Sequence, residues 1–226
     1  MSILLVKREN YPFKDKWCLP GGFICVDEDL DDAPKRILKD ETNLENIYLE
    51  QLYTFGSVKR DPRMRVVSTS YMALIDKNKL EGSLSSNASW FDIISTKKCG
   101  NHITVTLSNR EVILDFTIEQ TLQDEQTGRF ISNIVKNDSF AFDHPLVIFL
   151  GMERLKNKIE YTDIVFHMMP ELFTLGELQQ VYEVILDKKL LDPAFRRIIA
   201  NKVEKTTKMR TGGGHRPSYL FKYKAK

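Results

Sequence analysis

Residues 21–44 read GGFICVDEDLDDAPKRILKDETNL. Gly21 and Gly22 close the turn that begins at Leu19-Pro20. From Asp29 to Glu41 the apolar residues Leu30, Ala33, Ile37 and Leu38 recur at three- and four-residue spacing, which predicts a helix. Pro34 belongs in its first turn, where a missing N–H costs little. Positions 37, 40 and 41 lie at i, i+3 and i+4, so they share a helix face. Asp40 and Glu41 offer carboxylates there, and Ile37 offers an apolar group. Divalent cations such as Mg²⁺ gather clustered carboxylate oxygens, and two carboxylates on one face could contribute to such a cluster. Upstream, Glu28 can pair with Arg36 through charge-assisted hydrogen bonds.

Around this helix the pattern is mostly strand. Ser2–Val6 (SILLV) reads as a buried strand, Val66–Ile75 (VVSTSYMALI) as a strong one and Trp90–Ile94 (WFDII) as a shorter one. His102–Leu107 and Glu111–Thr117 flank Ser108-Asn109-Arg110 as a hairpin. Residues 120–140 are polar and predicted helical for part of their length. Asp143 is placed to cap a helix from Pro145 to about Lys158. A domain boundary near residue 160 divides the chain into 1–158, with an inserted segment at about 95–140, and 159–226.

The second segment has a different character. Thr174 and Glu177 form a capping box ahead of an amphipathic helix carrying Leu175, Leu178, Val181, Tyr182, Ile185 and Leu186. Asp192-Pro193 starts a second helix to about Lys202. Its spacing buries Phe195, Ile198 and Ile199 and exposes Arg196, Arg197, Asn201 and Lys202. Val203–Thr207 and Ser218–Tyr223 follow as strands, joined by a Gly-rich connection in which Arg210, His215 and Arg216 can reach a phosphate backbone or a minor groove. Helix pair, strand pair and charge together read as a winged helix-turn-helix for double-stranded DNA. The charge is uneven: residues 1–170 carry 21 Lys+Arg against 25 Asp+Glu, and residues 171–226 carry 12 against 6, within a net charge of only +2. A basic segment beside an acidic one is the footprint of phosphate contact.

Hydrophobic content of 42% and charged content of 28% fit a folded globular protein. No apolar run approaches the ~20 residues needed to span a membrane. The start, MSILLVKREN, has neither an h-region nor a cleavage site. Cys18, Cys25 and Cys99 show no metal-ligand spacing and are an odd number, so reduced, buried thiols in a cytoplasmic protein are expected.

The quoted stretch resembles a Nudix box, G-x5-E-x7-R-E-U-x-E-E-x-G-U with U apolar. Gly22, Glu28 and Arg36 match. Ile37 stands where a glutamate belongs, Asp40 and Glu41 fill the next acidic places, and Asn43 replaces the glycine. With Tyr53–Val67, Phe142-Asp143-His144, Glu153–Tyr161, Phe173–Leu186, Phe195-Arg196-Arg197 and Gly212–Pro217, the chain resembles the Nudix-related transcriptional regulators over nearly its whole length. The resemblance implies an α/β (α+β) Nudix fold, a mixed sheet with packed helices, followed by a winged helix-turn-helix. It implies an effector such as ADP-ribose or a similar nucleotide sugar, bordered by Arg60, Arg63 and Arg65, with Tyr53 and Phe55 as a stacking face. His144 is expected to fix a helix start rather than act as a base.

On this reading the damaged box senses and the tail reports to DNA. No residue is assigned a catalytic role. The degenerate box is Glu28, Arg36, Asp40 and Glu41; Asp40 and Glu41 are the metal candidates, and Mg²⁺ or Mn²⁺ enters only if hydrolysis survives. A homodimer on a symmetric operator is expected. The rival is an active hydrolase of ADP-ribose or another nucleoside diphosphate derivative, its tail used for assembly. A third class is an adaptor that binds neither DNA nor nucleotide.

Overall fold

A computed structural model describes residues 1–43, 45, 47–76, 84–211 and 217–224. They divide into two compact units. One holds residues 1–73 and 84–153, the other residues 74–76 and those from Arg154 onward. No helix among the described residues is long and apolar enough to cross a membrane.

The N-terminal unit is built on β1 (Ser2–Lys7), β2 (Trp17–Cys18), β5 (Ala88–Cys99), β6 (His102–Ser108), β7 (Ile113–Asp124) and β8 (Arg129–Asn137), in the order β2-β1-β5-β6-β7-β8. Adjacent strands are antiparallel. A parallel bridge from Trp17 to Phe140 makes the sheet mixed. The predicted hairpin is present, with Leu107 opposite Leu114, Val105 opposite Phe116 and Ile103 opposite Ile118. These six alternate residues face inward and pack with Leu5, Phe91, Phe140, Ile148 and Phe149. Strict alternation is what a half-buried strand demands.

Residues 120–140 correct the sequence reading: β7 runs on to Asp124 and β8 follows, with no helix. Pairing to a neighbouring strand overrides a polar composition. That composition reflects the position of the hairpin end, where Gln120, Thr121 and Gln123 reach past the core and have little to bury. Thiol burial also needs correction. Cys18 is buried, but Cys25 and Cys99 are exposed.

α1 (Ala33–Thr42) begins later than expected, because residues 29–32 form a turn, with the Ala33 N–H donating to the Asp29 carbonyl. Pro34 sits in its first turn, and Asn43 ends it in the left-handed region at φ 56°, a conformation asparagine tolerates. β3 (Tyr48–Phe55) and β4 (Ser68–Leu74) form a separate two-stranded sheet. α2 (His144–Lys158) starts on the Asp143 carbonyl, which accepts from the N–H groups of Leu146 and Val147.

In the C-terminal unit a 3₁₀ turn (Ile164–Met168) precedes α3 (Leu175–Leu186) and α4 (Asp192–Ile199), and β9 (Val203–Arg210) pairs antiparallel with β10 (Ser218–Tyr223). The capping box forms in both directions: Thr174 Oγ accepts from the Glu177 N–H, and Glu177 accepts from the Thr174 N–H. Leu178, Tyr182, Phe195 and Ile199 are buried, with the Tyr182 and Phe195 rings edge to face at 5.3 Å. Ile198 is not buried. It is 56% exposed, because it lies on the flank of the helix, about 80° from the direction in which Phe195 and Ile199 point.

Candidate functional site

The Arg36–Glu28 ion pair holds the box loop to its helix. Arg36 Nε and Nη2 donate to the two Glu28 carboxylate oxygens at 2.7 and 2.8 Å, and Arg36 also reaches the Phe23 carbonyl at 3.1 Å. The Cys25 N–H donates to Glu28 at 3.2 Å. These bonds, Arg36 foremost, hold the Glu28 carboxyl down to about 2, and Glu28 raises Arg36 in return. The loop 23–28 is thereby tied to α1. Ile37 lies over Gly22, close enough that a Cβ there would meet its side chain at 3.4 Å.

A divalent cation needs several free oxygens in one place. Glu28 spends both of its oxygens on Arg36. Glu41 accepts from the Ser85 hydroxyl at 2.7 Å. Asp40 is exposed, 3.9 Å from Arg36. No group of three or more His, Cys, Asp or Glu able to hold a metal occurs among the described residues. This donor set does not fit a resident Mg²⁺ or Mn²⁺.

The arginine loop separates into two kinds of residue. Arg60 is only 7% exposed and donates from Nε and Nη2 to Asp143 at 2.8 Å each, with a further bond to Ser68. It is a pin between the 56–67 loop and the start of α2, not a free effector ligand. Asp143 correspondingly starts α2 with its carbonyl while its carboxylate serves Arg60. Phe55 also departs from expectation. It is buried with Leu52 and Val147, so it supports Tyr53 edge-on at 5.1 Å rather than offering a stacking face. Tyr53 is 53% exposed. Arg63 is half-exposed and grips Asp61 at 3.0 and 2.8 Å, which lowers the Asp61 carboxyl to about 2. Arg65 donates to the Gly56 carbonyl at 2.6 Å.

His144 accepts the Leu19 N–H at Nδ1, 2.8 Å. That bond requires an unprotonated nitrogen. Burial, with the charges of Arg60 and Arg8, pushes its pKa down to about 4, so the ring is neutral near pH 7 and fastens the 19–22 turn to α2. Arg8 had no role in the sequence reading. Its guanidinium lies 4.8 Å from the Phe142 ring centre, and that of Arg63 lies 5.8 Å from it. Nothing local in the sequence links residues 8, 63 and 142.

In the C-terminal unit α4 is clamped by α3. The Gln179 amide donates to the Leu190 carbonyl and to Asp192, both at 3.0 Å. Glu183 accepts from the Leu190 N–H and from Lys189. This leaves Arg196, Arg197 and Asn201 exposed. Lys202 is otherwise engaged, 2.8 Å from Asp163 and bonded to the Thr162 carbonyl. It braces the unit's own scaffold instead of facing outward. Arg210 is half-exposed but paired with Glu177, which ties the end of β9 to the start of α3. His215 and Arg216 lie outside the described residues. Lys205, which the sequence reading passed over, sits 3.3 Å above the Tyr219 ring on the strand pair.

The model of the NUDIX domain matches residues 1–112, and that of the NrtR DNA-binding winged helix domain matches residues 165–223. The chain is 33% identical over 228 residues to the ADPR responsive transcriptional repressor NtrR of Acinetobacter baylyi, covering 99% of this chain and 76% of that protein. Among solved structures it is similar to a MutT/nudix family protein from Enterococcus faecalis (TM-score 0.72, 28% identity, 99% of this chain and 79% of that one). It is also similar to Shewanella oneidensis NrtR complexed with a 27mer DNA (TM-score 0.71, 30% identity, 99% and 86%).

Proposed function

The chain belongs to the family of Nudix-related transcriptional regulators with an NrtR-type winged helix, and from that premise we propose the following division of labour. The C-terminal unit binds an operator in double-stranded DNA, and the N-terminal unit senses a nucleotide sugar such as ADP-ribose. The observation that carries this is an exposed cationic face on α4 in the same chain as a box in which Glu28 and Glu41 are already hydrogen-bonded and Ile37 replaces a carboxylate. We further propose that the protein works in the cytoplasm as a homodimer, since a symmetric pair reads two half-sites where one winged helix reads a short one. A gel-shift assay on the promoter of the neighbouring operon, with and without ADP-ribose, tests the whole scheme. A shifted band that does not respond to ADP-ribose would retain the reader and remove that effector.

Two expectations attach to the sensing unit. Hydrolysis of ADP-ribose with Mg²⁺ or Mn²⁺ should be slow. Steady-state turnover of roughly 1 s⁻¹ or more would show that the box is catalytic and favour the hydrolase. The effector's phosphates are assigned to Arg63 and Arg65, which stay exposed although Arg63 pairs with Asp61 and Arg65 donates to the Gly56 carbonyl. Arg63→Ala and Arg65→Ala should each weaken effector binding by about 1.5–3 kcal/mol, the worth of a hydrogen bond to a charged group. Calorimetric titration with ADP-ribose decides it. Wild-type affinity in both variants would reduce the cluster to a solvated turn.

A further inference from the structure

α4 presents one residue that a phosphate-binding surface has no use for. Phe195 and Ile199 are each 1% exposed and fix the inward side of the helix. At about 100° per residue, Arg197 falls opposite them, with Ala194 next to it, and Arg196 and Ile198 fall on the two flanks. Ile198 is 56% exposed there, immediately after Arg197 and three residues before the exposed Asn201. Residues 171–226 carry twice as many cations as carboxylates, so a polyanion is the complementary partner of this face. An aliphatic side chain gains nothing from a phosphate. On duplex DNA it can pack on sugar carbons or at a base edge, where the apolar group in the major groove is the thymine C5-methyl. Arginine and asparagine beside it suit guanine and adenine edges respectively.

We propose that Ile198 is a specificity-determining residue that packs on a thymine methyl in the operator. The inference rests on the DNA-binding reading of the C-terminal unit. The test uses the full chain and a pool of random duplexes, from which bound sequences are selected and each thymine of the best duplex is replaced in turn by deoxyuridine. One replacement should weaken binding by about 4-fold, the worth of one methyl buried against carbon. That penalty should vanish in Ile198→Ala and persist in Ile198→Val, which keeps a branched apolar tip. Ile198 supports no core, so neither variant should alter the fold. If no deoxyuridine replacement matters, or the penalty survives in Ile198→Ala, the role of Ile198 is overturned and the DNA reader stands. If the wild-type chain enriches no duplex at all, the reader itself falls, and this inference with it.

Discussion

Asp143→Ala is expected to destabilise the N-terminal unit by about 3–5 kcal/mol, the range for removing one partner of a buried ion pair. The Arg60 side chain is 7% exposed and that of Asp143 is 16% exposed, so water cannot replace the lost carboxylate. Arg60 also lies 5.9 Å from the apolar Phe55 ring centre, and the neighbouring Asp61 is already paired with Arg63. Urea unfolding followed by tryptophan fluorescence reads the right part of the molecule, because both tryptophans, Trp17 and Trp90, are in the N-terminal unit. The companion variant Asp143→Ala with Arg60→Met should recover much of the loss, since a buried pair replaced by apolar groups is often neutral. A loss below about 1 kcal/mol, as for exposed pairs, would mean that solvent reaches Arg60 and that the pin is not structural.

The same pair shows where a sequence stops being legible. Arg60 and Asp143 are 83 positions apart, and no local pattern connects them. Taken alone, Arg60 is one more cation in a basic loop and Asp143 is a helix cap. Lys202 misleads in the same way. Its charge reads as one more cation for DNA, but Asp163, far away in sequence, claims it. Local rules succeeded where the physics is local. The Thr174–Glu177 box, Pro34 in a first turn and the alternation of β6 with β7 were all readable, because each depends on neighbours within a few residues. Strand β8 was missed because its stabilising partner is β7, not its own sequence. Ile198 was missed because the 195, 198, 199 spacing imitates a core stripe, whereas the helix stops at Ile199. That failure leaves an apolar residue on a cationic surface, where sequence and fold disagree for a reason that function can supply.

Arg197→Ala is expected to produce the largest change in DNA recognition. Arg197 lies opposite the buried pair Phe195 and Ile199, is exposed, and has no ion-pair partner among the described residues. Lys202 and Arg210 must break existing pairs with Asp163 and Glu177 before they can serve DNA; Arg197 has none to break. A guanidinium that meets a guanine edge bidentately provides about 1–3 kcal/mol of discrimination. The variant should therefore lose roughly 10- to 100-fold in the ratio of selected to random duplex affinity. Arg196→Ala is expected to act in the same direction. Arg216→Ala should instead weaken both duplexes alike and flatten the salt dependence by about one unit of slope, as a lost phosphate contact does. Lys202→Ala should act mainly on stability, because its charge is spent within the unit. Titrations on both duplexes at several salt concentrations separate these outcomes. Equal weakening of both duplexes by Arg197→Ala would move that residue to the backbone. If removal of residues 161–226 leaves DNA binding intact, the reader does not lie in the C-terminal unit at all.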